Sequence, residues 1–179
     1  MRILLTIACT LYCMASMAQL TTNRMFPPFS GETLSDKEVT IPEAKPERET
    51  LVLIAYTAEA QKDAKNWVKQ TYANFVDPNG MGAGLYDINV YYVYMFGGVK
   101  KAAFGKIKKR VKPETDVDLY DYVVLAESNG GWYKENLNFK DKNQPNIYLI
   151  GKSGKVIWHD YGRYTSEKMD ELEEVIGRQ

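Results

Sequence analysis

Cysteine is almost absent from this chain, and none occurs beyond position 13. The two cysteines, Cys9 and Cys13, lie in an apolar stretch near the amino terminus. Histidine occurs once, as His159, so a zinc or copper site has no ligand set. We therefore predict that the protein holds no metal and no cofactor, and that no disulfide forms beyond residue 13.

An excess of either charge is also lacking, because 23 Lys and Arg balance 23 Asp and Glu. No global field draws the protein to nucleic acid, and we predict no nucleic-acid partner. One local run between residues 98 and 112 is basic. We interpret it as a solvated helix face, with docking to an acidic partner or to anionic lipid as the alternative. Its cations are Lys100, Lys101, Lys106, Lys108, Lys109, Arg110 and Lys112.

No apolar run reaches the length of a transmembrane helix. The stretch from Ile3 to Met14 follows Arg2 and precedes Ser16-Met17-Ala18, which is typical of a signal peptide. We predict a signal peptide over residues 1–18, cleavage before Gln19, and a periplasmic or extracellular protein without an integral membrane span. An uncleaved anchor and a lipoprotein are the weaker alternatives.

The rest of the chain is long enough for one domain and has strand and helix patterns in alternation. Residues 19–37 are predicted to be an extended lead-in, and a short strand follows at 38–41. The continuous apolar run 51–56 indicates a strand buried on both faces. Helical periodicity then continues to Phe75. Further strands are predicted at 88–96 and 122–126, with a helix between them and a short helix near 132–137.

The carboxyl-terminal part has a different order. Residues 146–150 and 156–160 flank a glycine-containing turn, which predicts a β-hairpin. Thr165 is a good helix N-cap, and the apolar spacing after it predicts a final helix that ends at Gly177.

The order of elements, with Gln144-Pro145-Asn146 before the hairpin and Gly154-Lys155-Val156-Ile157-Trp158 within it, resembles the thioredoxin superfamily from residue 34 to 176. The most similar branch contains extracytoplasmic thiol reductases and peroxiredoxins. Residues 26–67 also resemble thioredoxin-like assembly factors of the mitochondrial ATP synthase. The resemblance implies an α/β three-layer sandwich over residues 38–179, with a mixed sheet of about five strands and helices on both faces. It further implies a cis peptide bond before Pro145.

The resemblance fails at the residues that carry thiol chemistry. Where the superfamily places its reactive cysteine, this chain has Thr57-Ala58-Glu59-Ala60-Gln61. We therefore predict a protein without redox activity that binds an envelope protein or an extended peptide. The predicted surface is the degenerate active-site face, where a cis-proline would leave backbone groups free for pairing. Its residues are Ala58, Glu59, Ala60, Gln61, Gln144, Pro145 and Asn146.

Three further residues are candidates for functions other than peptide binding at this face, or for additional binding sites. A hydrolase-like enzyme on this fold would use Glu59, His159 or Asp160, but adjacent strand residues point to opposite faces, so His159 and Asp160 are not expected to pair. A degenerate homologue of thiol oxidoreductases is a second alternative. Trp132, which follows two glycines, and His159 are secondary binding candidates. The more ordinary interpretations are a place in the core for Trp132 and a partly exposed hairpin position for His159. The aromatic run 91–96 is interpreted as buried strand, with a ligand site lined by its rings as the alternative.

Overall fold

The computed structural model describes residues 22–44, 46–80, 82–97, 104–128, 139 and 141–177. The predicted signal peptide, the short helix near Trp132, and Lys100 and Lys101 lie outside these ranges. The strands are β1 (Phe29–Thr33), β2 (Glu38–Ile41), β3 (Glu49–Ala55), β4 (Ile88–Gly97), β5 (Val123–Ser128), β6 (Asn146–Ile150) and β7 (Val156–Tyr161). The helices are α1 (Ala58–Phe75), α2 (Phe104–Val111) and α3 (Ser166–Gly177), with 3₁₀ turns at Lys112–Glu114 and Val117–Leu119.

One mixed sheet of seven strands organises the described residues, in the order β2-β1-β5-β4-β3-β6-β7. The centre is parallel, since β4 pairs in parallel with both β3 and β5. Strand β6 pairs antiparallel with β3, and the β6–β7 hairpin completes that edge. The expected α/β sheet is confirmed, with seven strands rather than five.

The two additional strands come from the amino-terminal part of the domain. Strand β1 lies within the expected lead-in of residues 19–37 and joins the sheet by antiparallel pairing with β5, as at Gly31 opposite Ala126. It also forms a hairpin with the predicted strand β2. Phe26, just before β1, is almost completely buried. The lead-in is therefore part of the packed structure.

The apolar residues of β3 alternate between two cores. Leu51 and Leu53 pack with residues of all three described helices in the first core, including Trp67 of α1 and Leu172 of α3. Val52 and Ile54 belong to the second core on the opposite face, together with Phe26 and Phe139. Because β3 is buried throughout, it reads as a continuous apolar run, as the sequence indicated.

Candidate functional site

The amino terminus of α1 lies at the carboxyl end of β3, the edge of an open α/β sheet where ligands commonly bind. Thr57 caps the helix, because its hydroxyl accepts a hydrogen bond from the Ala60 amide at 3.2 Å. Ala58 and Glu59 are exposed, whereas Ala60 is buried. The helix start therefore presents a methyl group and a carboxylate at the place where relatives of this fold carry a thiol.

The second predicted segment, residues 144–146, lies beside this helix start. The Thr57 hydroxyl donates to the Lys142 carbonyl at 3.4 Å, which links the helix cap to the loop before β6. Asn146 lies opposite Ile54 in the sheet and is fully buried. The fold thus brings together the two segments that the sequence grouped, and their role in binding stays a prediction.

The cis bond predicted at Pro145 is wrong. The cis peptide bond among the described residues precedes Pro42, and the bond between Gln144 and Pro145 is trans. Pro145 is buried, and its carbonyl accepts a hydrogen bond from the Gly162 amide at 2.8 Å. The proline therefore leads straight into the β6–β7 pairing, and a trans bond satisfies that geometry.

The backbone near Pro145 also has its hydrogen bonds satisfied within the molecule. The Gln144 amide donates to the Asp141 carbonyl at 3.3 Å, and the Gln144 carbonyl accepts from the Asn146 side-chain amide at 3.2 Å. With the Pro145 carbonyl also occupied, this segment offers no free pair of groups to an incoming strand. Strand pairing at Pro145, the mechanism expected from the sequence, would therefore have to compete with these internal hydrogen bonds.

His159 and Asp160 point to opposite faces of the sheet, as the strand alternation predicted. His159 stacks on Tyr148 with ring centroids 4.5 Å apart, and its Nε2 lies 3.5 Å from the Asn146 Oδ1. Asp160 instead forms an ion pair with Lys168 at 3.0 Å. Glu59 is exposed on α1. Within the described ranges, these three groups do not form a catalytic arrangement, and the candidate Trp132 lies outside those ranges.

A cleft that the sequence did not reveal opens directly beside the α1 start. We call it the α1 cleft, with a volume of about 640 Å³. Tyr94 and Phe96 of β4 line it, and Ala58, Gln61, Lys62 and Lys65 of α1 contribute one wall. The opposite wall contains Arg110 at the end of α2 and Glu114 in the turn that follows. Two of the predicted site residues, Ala58 and Gln61, therefore belong to this cleft.

The cleft combines an aromatic surface with a positive rim. Tyr94 and Phe96 are half-buried and pack against the first core. Burial raises the pKa of Tyr94, and the nearby charge of Glu114 raises it further, so the phenol stays neutral at physiological pH. The only signal in the sequence was the two-residue spacing of these rings, which places both on one face of β4. The run 91–96 is therefore not buried throughout, because Tyr94 and Phe96 are only partly buried and line the cleft.

The basic run of α2 is not a uniformly solvated face. Lys108 is buried, and its ammonium donates to Glu32 of β1 and, at 2.8 Å, to Asp36 in the β1–β2 turn. Burial alone would lower the pKa of Lys108, but the hydrogen bonds to the two carboxylates outweigh it and raise this pKa. Lys112 also lies 3.6 Å from Asp36. Two of the seven basic residues thus hold the β1–β2 hairpin, while Arg110 faces the α1 cleft.

Comparison with known proteins identifies the family. Residues 15–178 match the family described as ATP10 protein. The chain belongs to the ATP10 protein family. The match extends far beyond residues 26–67, where the sequence resembled ATP synthase assembly factors. No curated protein matches the chain.

Solved structures similar to this member of the ATP10 protein family have the thioredoxin-like fold. BsSco, described as a member of the Sco family of cytochrome c oxidase assembly proteins, aligns with a TM-score of 0.53 and 13% identity over 88% of this chain and 96% of its own. A putative thiol:disulfide interchange protein DsbE from Chlorobium tepidum gives 0.51 and 16%, with 88% and 96% covered. A putative protein disulfide isomerase from Bacteroides thetaiotaomicron gives 0.57 and 12%, with 88% and 91% covered. At these identities, the similarity establishes the fold.

The described ranges of this ATP10 family chain contain no candidate for a metal site or a membrane-spanning helix. Within the described ranges, no group of three or more His, Cys, Asp or Glu side chains is arranged to bind a metal ion. In the same part of the chain, no helix combines the length and apolar character needed to cross a membrane.

Proposed function

We propose that this protein is an exported, non-redox member of the thioredoxin-like fold that binds a polypeptide during assembly of a complex. Thiol–disulfide exchange requires a thiolate nucleophile, and the chain has no cysteine after Cys13. At the helix start that carries such a thiol in related folds, Ala58 and Glu59 are exposed instead. Neither side chain substitutes for a thiolate.

The α1 cleft is the observation that carries the binding function. Protein-binding surfaces combine a desolvated aromatic centre with a polar or charged rim. Here Tyr94 and Phe96 provide the aromatic centre, and cations of α1 and α2 provide the rim. The cleft is open to solvent and adjoins the predicted site at Ala58. The cleft can accept one side chain of a bound polypeptide together with the backbone that flanks that side chain.

The proposed role in assembly is inferred from the family to which the chain belongs. The sequence resembles assembly factors of the mitochondrial ATP synthase, and the chain belongs to the ATP10 protein family. Export is inferred from the signal peptide expected at residues 1–18.

The alternative of a non-thiol enzyme has no specific observation in its favour, because Glu59 is exposed and Asp160 forms an ion pair with Lys168. Descent from thiol oxidoreductases is compatible with the binding function.

The test is site-specific photo-crosslinking in the native cell, with the probe at Glu59 and a control probe at Glu171. Both positions are exposed on helices, but Glu171 lies on α3, away from the cleft. We expect one dominant protein adduct at Glu59 that is absent at Glu171, and we expect the adduct partner to bind the purified protein. Equal or absent adducts at the two positions would refute the proposal.

A further inference from the structure

The α1 cleft continues along the helix into a second depression of about 340 Å³. Lys65, Tyr94 and Glu114 line both depressions, so the two form one channel, which we call the α1 groove. The second depression extends to Tyr72 and Asp118. The groove thus runs between α1 on one side and the α2–β5 connection on the other.

The length of the groove fits a short extended chain. From Ala58 to Tyr72, α1 advances by roughly 21 Å at the rise of an α-helix. An extended polypeptide covers that distance with about six residues. Tyr94 and Phe96 are two residues apart on β4, so their rings repeat at roughly 6.6 Å, the spacing of alternate side chains in an extended chain.

The charge at the end of the groove nearest Ala58 selects the occupant. Lys62, Lys65 and Arg110 line this end, against a single carboxylate from Glu114. No ion pair involves these three cations within the part of the chain that the structure describes. Lys108 and Lys112 of the same basic run, in contrast, are held by Glu32 and Asp36. The three groove cations are therefore available to form ion pairs with the acidic groups of a bound partner.

The opposite end of the groove has the reverse character. Asp116 and Asp118 line it, with Lys69 as the facing cation. The groove is thus both positive and aromatic near Ala58, with Lys65 and Tyr94 where the two depressions meet, and it is more acidic towards Tyr72. A chain with acidic residues beside the cations and an apolar side chain on Tyr94 and Phe96 matches the half of the groove nearest Ala58.

We propose that the α1 groove binds an extended polypeptide segment of about six residues, with acidic residues next to Lys62, Lys65 and Arg110 and a large apolar residue on Tyr94 and Phe96. This proposal rests on the proposed function and specifies the chemistry of its partner. It assigns the recognition of acidic side chains to exposed lysine and arginine residues, and not to backbone pairing at Pro145.

Binding of synthetic fluorescent hexapeptides to the purified full chain tests the specificity. The probe peptide carries two glutamates followed by a phenylalanine; one control replaces the glutamates by lysines, and another replaces the phenylalanine by alanine. We expect each replacement to weaken binding by roughly tenfold, because one removes the charge attraction to the groove cations and the other removes the apolar contact with Tyr94 and Phe96. Equal affinity for the three peptides would overturn the proposal.

Charge reversal locates the site. The double variant Lys65→Glu/Arg110→Glu is expected to bind the probe peptide roughly tenfold or more weakly than the unaltered protein. The same variant is expected to bind the lysine peptide more tightly. Lys109→Glu is the matched control, since Lys109 is exposed on the same helix but does not line the groove. Equal losses for Lys109→Glu and the double variant would refute a specific groove. Binding of phosphatidylglycerol vesicles, lost in the double variant without any peptide selectivity, would assign the cations to lipid instead.

The crosslinking probe at Glu59 separates this proposal from the proposed function. In the Lys65→Glu/Arg110→Glu background, we expect the adduct at Glu59 to fall at least severalfold. If the adduct persists unchanged, polypeptide binding stands, and the acidic specificity of the groove is wrong. If Glu59 yields no adduct in the unaltered protein, the proposed function itself fails. Circular dichroism spectra and melting temperatures of the variants establish that they are folded.

Discussion

Removal of one buried hydroxyl gives a sharp test of how α1 is held on the sheet. Tyr92 of β4 has no exposed surface, and its hydroxyl lies 3.0 Å from the Thr71 hydroxyl and 3.3 Å from the Val68 carbonyl, both in α1. Thr71 in turn donates to the Trp67 carbonyl at 2.7 Å. Tyr92 is therefore the donor to Thr71. Tyr92→Phe keeps the ring and leaves no buried donor unpaired.

At neutral pH, Tyr92→Phe should lower the free energy of unfolding by about 1 kcal/mol, the net value of a neutral hydrogen bond. At alkaline pH, the same substitution should cease to lower the free energy of unfolding and should begin to raise it relative to the unaltered protein. Burial raises the pKa of Tyr92 above its ordinary value of 10.0, so the folded protein keeps the proton that the unfolded chain releases. Stability from this group is thus complete below that ordinary value and is lost as the pH rises above it.

The magnitude follows from the unfolded tyrosine alone. At about pH 11, its ionisation favours unfolding by roughly 1.4 kcal/mol, a loss that the phenylalanine variant does not suffer. The 1 kcal/mol advantage of the unaltered protein should therefore vanish or change sign near that pH. Urea unfolding, followed by tryptophan fluorescence from neutral pH upwards, measures the difference. Thr71→Val is the control: it removes the acceptor but keeps the ionisable group, so its deficit should change little with pH. A constant deficit for Tyr92→Phe would refute the reasoning.

Four other substitutions test separate contacts by melting temperature or urea unfolding. Lys108→Ala should destabilise by about 2 kcal/mol, because it leaves the partly buried carboxylate of Glu32 without its cation, whereas the exposed control Lys109→Ala should stay within about 0.5 kcal/mol. Similar losses would contradict the assignment of a partly buried ion pair. Gly31→Ala should cost about 1–3 kcal/mol, since its methyl would lie 2.5 Å from a side-chain carbon and 2.8 Å from a carbonyl oxygen of β5. An added methyl at Gly105 of α2 would meet nothing within 4 Å, so Gly105→Ala should stabilise by about 0.5–1 kcal/mol; a loss of stability would contradict an open, helical position for Gly105. Thr57→Val removes the cap of α1 and should cost about 1 kcal/mol, and an unchanged stability would show that the cap is dispensable.

The elements that the sequence predicted are those with a strong local pattern. Strand β3 is continuously apolar, α1 has helical periodicity, and the β6–β7 hairpin has a glycine at its turn. Strand β1 was missed because Phe29–Thr33 contains one large apolar residue and a glycine. Its place in the sheet depends on pairing with β5, almost a hundred residues later in the chain, which local periodicity does not contain.

The candidate site was likewise predictable from the sequence only where it depends on a local pattern or on composition. The position of Ala58 and Gln61 at a helix start followed from the local pattern, and the absence of a thiol followed from composition. The α1 groove did not, because its walls come from α1, β4 and the end of α2, and only their packing creates the space. The burial of Lys108 was missed for a related reason: its partners, Glu32 and Asp36, are more than seventy residues away.

The interior position of β3 in the sheet has a consequence for biosynthesis. In the finished sheet it lies between β4 and β6, and Thr50 pairs with Ile150. Until residue 150 has left the ribosome, one edge of a strand made of Leu, Val and Ile has no partner. Such an edge can pair with any other extended chain, which is the usual origin of aggregates. A truncation that removes β6 should therefore yield an insoluble protein, even though β3, α1 and β4 are all present.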